Sequence, residues 1–332
     1  MGGKALNKYG VTTERKNTEE FRRIGKEIQQ NIEDRYPVST AIVTCYHTKA
    51  DHGDLDLLIK MDEGIEILWK DYIQEVFNPR AIHNNGGVYS FDYQNFQIDF
   101  IPVKEHKWET AKVYYSYDPL GNIMGKTFHK FGLSYGWDGL FYKFRNFNGK
   151  NSQNILLTND ARKIFKFGGY DYDRYLQGFE TLEDILRFAI DSKYFDTEIF
   201  QMDNLKSIDK KRNRKRGSYH VFLKYLEDNN IDIRYLFHNN KDLYLPFIDI
   251  AFPEAKLLEK LKELQRIDSE NSILSQKFNG DIVMAWLPKL KGKELGAAMT
   301  KFKDALGDEY REFVLGSDYS EIHDYFMEVY ND

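Results

Sequence analysis

Cysteine is almost missing from this chain: Cys45 is the one example in 332 residues. That excludes a disulfide framework and any zinc or iron–sulfur site built on several thiolates, and it fits a reducing compartment. Proline is sparse too, at seven residues, so no proline-rich linker marks a seam. No run nears the roughly 18 apolar residues of a membrane span, and the opening MGGKALNKYG lacks the apolar stretch of a secretory leader. Leu6 stands where a myristoylation pattern after Gly2 wants Ser or Thr. Neither G-x-x-x-x-G-K-[ST] nor G-x-G-x-x-G occurs between a strand and a helix, and Gly2-Gly3-Lys4 is too short to serve. These absences read as a soluble, cytoplasmic protein with no membrane partner.

What is present can build a core. Hydrophobic residues make up 42%, with 23 Tyr and 24 Phe, which excludes disorder as a description of the whole chain. The 47 basic and 52 acidic residues leave a net charge of −5. A mild excess of acid does not exclude a nucleic-acid partner, because local charge decides that. The length suits two domains.

Apolar residues at helical spacing predict a helix over residues 18–36, opened by Asn17 or Thr18 and stopped by Pro37. Residues 40–46 and 55–60 read as strands, 66–76 as a helix. Asn84-Asn85-Gly86-Gly87 marks a turn before strands at 88–93 and 96–103. Helices at 104–114 and 120–131 and a strand at 139–144 complete a mixed first half. From about residue 151 helical periodicity dominates, at 158–167, 182–190, 219–228 and 255–267, with strand signals at 154–157 and 243–250. The expected fold class is α+β: a mixed-sheet domain over 1–150, then a mainly α-helical half over 151–332.

The chemistry concentrates in Gly53-Asp54-Leu55-Asp56-Leu57-Leu58-Ile59. A strand alternates its faces, so Asp54 and Asp56 project to one side, a few ångströms apart. Two carboxylates that close repel, and an unpaired carboxylate is costly to bury, so such a pair wants a cation. Phe96-Gln97-Ile98-Asp99-Phe100 adds a third acid in an otherwise apolar strand. Asp99 lies far enough downstream for a helix and a hairpin to bring the two strands side by side. Three carboxylates on one face supply the oxygen ligands that one or two Mg²⁺ or Mn²⁺ ions prefer.

GDLDLLI followed by FQIDFIPV resembles the signature of the DNA polymerase beta-like nucleotidyltransferase superfamily, whose palm carries Gly-Asp-x-Asp on one strand and a third Asp on a neighbour. The resemblance implies a palm over 1–150, with Asp54, Asp56 and Asp99 as catalytic and metal-binding residues. It departs at Thr44-Cys45, which stand where the family has Gly-Ser against the triphosphate; Thr44, Cys45 and Lys49 become the phosphate-side candidates, with Tyr46 and His47 nearby. It continues through Tyr115-Ser116-Tyr117-Asp118-Pro119-Leu120-Gly121-Asn122 to Lys126. That match implies that Asn122 lies near the incoming nucleotide and that Lys126 contacts nucleotide or nucleic acid. It spans roughly residues 38–145.

Lys206, Lys210, Lys211, Arg212, Arg214, Lys215 and Arg216 form the densest basic run, opposed by Asp209. Such clusters grip phosphate backbones through counterion release. Lys143, Arg145 and Lys150 extend the same reading. His47 and His52 make no zinc spacing and read as solvated loop residues, and Cys45 reads as a small packed residue. Gly292-Lys293-Glu294-Leu295-Gly296 faintly resembles the helical tails of tRNA nucleotidyltransferases and poly(A) polymerases.

Together these readings predict transfer of a nucleoside monophosphate from a nucleoside triphosphate such as ATP to a hydroxyl, with pyrophosphate released and an RNA or tRNA 3′ end as first-choice acceptor. A beta-type DNA polymerase is the runner-up, disfavoured because only about 40 residues precede the palm-like stretch and no helix-hairpin-helix repeat precedes it. A toxin-like enzyme modifying tRNA or protein, or a non-catalytic nucleic-acid-binding palm, remains the third class.

Overall fold

A computed structural model describes residues 3–146, 149 and 152–332. Gly2 and Lys150, both invoked above, fall outside the described residues. The chain divides into two compact units, one of Met1–Lys143 with Asn154–Ala255 and one of Phe144–Gln153 with Lys256–Asp332.

The first unit opens with β1 (Lys16–Asn17) and α1 (Thr18–Glu33). Asn17 caps α1 by accepting from the Glu20 N–H at 2.9 Å, satisfying one of the donors a helix start leaves free. Phe21, Ile24, Ile28 and Ile32 are its buried stripe, as the spacing predicts. There follow β2 (Ser39–Ile42), β3 (Asp51–His52), β4 (Asp54–Met61), α2 (Trp69–Phe77), β5 (Ile82–Asn85), β6 (Val88–Tyr93) and β7 (Phe96–Lys104). Five of these strands form one mixed sheet in the order β2-β4-β7-β6-β5. β4 and β7 run parallel; the other pairs are antiparallel.

One face of this sheet is apolar. Leu55, Leu57, Ile59, Phe91, Phe96, Ile98 and Phe100 pack under α1 and under Trp69, Tyr72, Ile73 and Phe77 of α2. On the other face Leu58, Ile101 and Val103 meet Ala111 and Trp108 of α3 (Trp108–Tyr115). The start of β4 on that second face stays open, and there the alternation places acids instead of aliphatics.

α4 (Leu120–Lys130), β8 (Leu133–Gly136), β9 (Gly139–Arg145) and β10 (Ser152–Thr158) come next, the strands forming a three-stranded sheet in the order β10-β9-β8. The rest of the unit is helical: α5 (Ala161–Gly168), α6 (Tyr172–Leu176), α7 (Leu182–Ile190), α8 (Ser207–Asn213), α9 (Gly217–Asp228) and α10 (Leu245–Ala251). Residues 243–250, expected as a strand, are therefore mostly helix. A short apolar run does not distinguish the two states by periodicity, and Pro246 in the first turn of α10 suits a helix start.

The expected division at residue 150 does not coincide with the compact units. Phe128 of α4 and Phe131 just after it pack on Phe167 of α5 with ring centroids 6.1 and 5.5 Å apart, and Tyr117 meets Phe179 at 4.8 Å. Aromatic burial ties the helices up to Ala255 to the sheet-bearing half.

The second unit contains α11 (Leu257–Lys277), α12 (Gly280–Trp286), α13 (Gly292–Leu306), α14 (Tyr310–Gly316) and α15 (Tyr319–Asn331). Phe278, Val283, Phe302, Val314, Ile322 and Phe326 form its core. Among the described residues no helix is long and apolar enough to cross a membrane.

Candidate active site

Parallel pairing of β4 with β7 sets Asp56 directly beside Asp99, and Asp54 beside Gln97. Side chains in register on adjacent strands share a face, so Asp54, Asp56 and Asp99 all project from the second face. Each is partly exposed, between the buried Leu55, Leu57, Ile98 and Phe100 that alternate with them. Across β7 on its other side, Asp99 faces the buried Ser90 of β6.

Burial pushes the Asp56 carboxyl well above the usual carboxylate range, and the negative charges of Asp54 and Asp99 push it further. Asp99 is pushed up to about 6, first by burial; the Ser90 hydroxyl opposes the rise, and Asp54 adds to it. Among the described residues Asp56 has no ion-pair partner; Lys49 is the cation whose charge favours its ionised form. A buried acid elsewhere on the sheet shows the contrast. Asp92 on β6 accepts from Arg80 Nε at 2.7 Å and from the Arg80 N–H at 2.9 Å.

The donor set is all oxygen and carries excess negative charge, the chemistry that a hard divalent cation satisfies. As they stand, no three His, Cys, Asp or Glu side chains among the described residues are gathered into a group that could hold an ion. The carboxylates are instead engaged by neutral donors. Gly3 N–H donates to Asp54 Oδ2 at 3.2 Å, and Gln97 Nε2 contacts both oxygens of Asp99 at 3.1 Å.

Asp54 and Asp56 open into a cleft of about 320 Å³ lined also by Thr44, Cys45, Tyr46, Lys49, Tyr115, Tyr117, Asp118, Leu182 and Ser218. That volume lies at the small end of small-molecule sites. The loop before β3 forms one wall because its backbone is tied at several points. Val43 N–H donates to the Asp56 carbonyl at 3.0 Å, Thr44 N–H to Ser116 Oγ at 3.3 Å, and Tyr117 N–H to the Thr44 carbonyl at 2.9 Å. His47 and Thr48 N–H groups reach the Phe179 and Glu180 carbonyls, both at 3.0 Å. Tyr117 holds a left-handed backbone with φ of 57°, unusual for a residue with a side chain.

Of the five residues expected on the nucleotide side, Thr44, Cys45 and Lys49 line the cleft, whereas Asn122 and Lys126 are not among its lining. Asn122 is half-buried in the first turn of α4. Lys126 lies with its ammonium 5.2 Å from the Tyr219 ring centroid, its pKa lowered by burial, with Arg212 and Arg216 adding to the fall. Cys45 is half-buried at the cleft wall, and burial raises its thiol.

The basic run occupies α8 and the turn into α9. Lys206, Lys211, Arg212, Arg214 and Lys215 are exposed; Lys210 is half-buried and 3.8 Å from Asp203. Arg216 is half-buried at the start of α9, and the negative charge of Asp118 on the cleft wall favours its protonated form. Ser218 and Val221 of the same helix line the cleft. The run therefore leads toward the helix that lines the cleft, and the charges of Arg212 and Arg216 are felt at Lys126.

His52 departs from its expectation as a solvated loop residue. It is 2% exposed and stacked on Phe21 at 3.8 Å, and burial lowers its pKa to about 4. Two-residue pairing of β1 with β3 turns it inward. His47 is exposed and meets Glu180 at 3.0 Å. Sequence reasoning missed Gln97 and Asp118. The signal for Gln97 was its position two residues before Asp99 on the same face; that for Asp118 was an acid immediately before the proline that opens α4.

No known protein family and no curated protein matches the chain. Among solved structures, the chain is similar to Leishmania infantum polymerase beta in a ternary P/T complex, with a TM-score of 0.37 and 13% identity over 48% of this chain and 74% of that one. A ternary gap complex of the same polymerase gives the same TM-score and identity over 46% of this chain and 67% of that one. Likeness at this level leaves the site to be read from its own chemistry.

Proposed function

We propose that the chain is a divalent-cation-dependent nucleotidyltransferase that moves a nucleoside monophosphate from a nucleoside triphosphate to a nucleic-acid 3′ hydroxyl. The observation that carries this reading is the register of Asp54, Asp56 and Asp99 on one sheet face, with no ion pair to Asp56 among the described residues, beside a cleft lined by Asp54, Asp56 and Lys49. The resemblance stated from sequence agrees with it.

In this reading Asp54, Asp56 and Asp99 hold one or two Mg²⁺ or Mn²⁺ ions. Bound cations there supply charge neutralisation on the triphosphate and a lowered pKa for the attacking hydroxyl. The chain's own residues do the rest. Lys49 and the backbone of the Thr44–Cys45 loop attract the phosphates. Asp99 would also accept the acceptor hydroxyl's proton. The new bond joins the acceptor oxygen to the α-phosphorus, the α–β bridge breaks, and pyrophosphate leaves. Arg212, Arg216 and Lys126 grip the acceptor's phosphates, so catalysis rests on positioning and electrostatics. The region over 1–150 then acts as a palm, and the mainly helical region over 151–332 supplies Arg212 and Arg216 to the acceptor grip.

Incubating the protein with labelled ribo- or deoxyribonucleoside triphosphates, Mg²⁺ or Mn²⁺, and RNA or DNA primers with and without template tests the reading. Untemplated extension of RNA is the expected result. Strictly templated extension of DNA selects a polymerase instead, and label on a protein selects protein modification. No transfer under any combination overturns the proposal.

A further inference from the structure

We propose that the amino-terminal segment around Gly3–Thr13 is a built part of the carboxylate site, with Gly3 and Gln97 as positioning residues for Asp54 and Asp99; the inference rests on the reading that these acids bind a divalent cation. Gly3 reaches Asp54 directly, its N–H donating to Oδ2 at 3.2 Å. Two residues later the Ala5 N–H donates to Gln97 Oε1 at 2.9 Å. That bond fixes which end of the Gln97 amide faces Asp99, so its NH₂ is presented to both carboxylate oxygens at 3.1 Å. One segment thus addresses two of the three acids, one of them through a side chain that is 2% exposed.

The segment is anchored. Leu6 is 1% exposed and Val11 is buried; Thr13 Oγ1 donates to the Gly3 carbonyl at 3.1 Å, and Glu14 N–H to the Asn95 carbonyl at 2.7 Å. Gly3 has φ of +80°, and a Cβ there would lie 2.3 Å from the Gly53 carbonyl oxygen, immediately before Asp54. Any side chain at position 3 must move the segment off the acid.

The donors are neutral, and that decides their role. A carboxylate has about four acceptor positions, and one or two N–H contacts leave others free for an ion. A lysine or arginine at position 97 would cancel part of the charge that attracts the cation; an amide orients Asp99 without doing so. Outer hydrogen bonds of this kind are worth roughly 10–100-fold in metal affinity where they have been removed from other sites.

The test is Mn²⁺ binding to the full chain, followed by electron paramagnetic resonance of the free ion, for wild type, Gln97→Leu and Gly3→Ala, with thermal melting of each. We expect both variants to weaken Mn²⁺ binding by roughly tenfold while Gly3→Ala melts within a few degrees of wild type. Wild-type uptake of Mn²⁺ with unchanged affinity in Gly3→Ala and Gln97→Leu overturns this inference alone. Absence of Mn²⁺ uptake by the wild type overturns the cation reading and this inference with it. Should Gln97→Leu fail to fold, Gly3→Ala, which alters no core residue, decides the matter.

Discussion

Asp56 and Asp99 are Cα partners on two parallel, adjacent strands, so two carboxylates lie side by side in a partly buried setting, with no ion pair for Asp56 among the described residues. An arrangement that costs stability on its own needs a compensating ligand or a function.

That cost gives a pH prediction. The Asp99 carboxyl is raised from 3.8 to about 6 by burial, so the folded state binds its proton more tightly than the unfolded chain does. The associated stability is fully present below about pH 4 and is lost as pH rises through about 6. Thermal melts in EDTA across pH 4–8 should fall over that window, and Asp99→Asn should flatten the fall and melt higher than wild type at pH 8.

The basic run should act unevenly. Arg216, beside Asp118 and the cleft, and Arg212, whose charge reaches Lys126 and Arg216, should matter more than exposed Lys206 and Lys211. Each phosphate contact removed lowers the slope of log K against log salt by about 0.9 for duplex DNA and about 0.7 for single strands. Binding titrations from 50 to 200 mM salt should show a flatter slope for Arg212→Ala with Arg216→Ala than for Lys206→Ala with Lys211→Ala.

Lys49 lines the cleft with Asp54 and Asp56 and has no ion pair among the described residues. Lys49→Met should raise the nucleotide KM about tenfold, equivalent to roughly 1.4 kcal/mol, and leave the melting temperature near that of wild type. Steady-state kinetics with varied triphosphate check this.

A structural control comes from Asp92, which is 6% exposed and held by Arg80. Arg80→Ala should destabilise the fold by about 2 kcal/mol in urea unfolding, less than the roughly 3–5 kcal/mol of a fully buried pair. Arg80 is itself half-exposed, and the Arg80 and Ala81 N–H donors remain.

That the three acids share a sheet face was legible because strand alternation is a local rule: D-x-D on one strand and an isolated acid in a second apolar strand need only the right register to project to one side. The α1 stripe and the helix over Leu182–Ile190 were legible for the same reason, through their 3.6-residue period. Pairing at a distance was not. Nothing local showed that β1 would pair with β3 and bury His52 against Phe21 beside the cleft, or that Gly3 would reach Asp54. The compact units differ from the seam expected at 150, and aromatic contacts such as those of Phe128 and Phe131 with Phe167, which run across that position, leave no periodic trace.

The most direct test of the central claim compares wild type with Asp54→Ala and Asp99→Ala for label transfer to a primer in Mg²⁺, with primer binding measured in parallel. The account predicts that both substitutions abolish transfer and leave primer binding intact. Undiminished transfer by the two variants would contradict it.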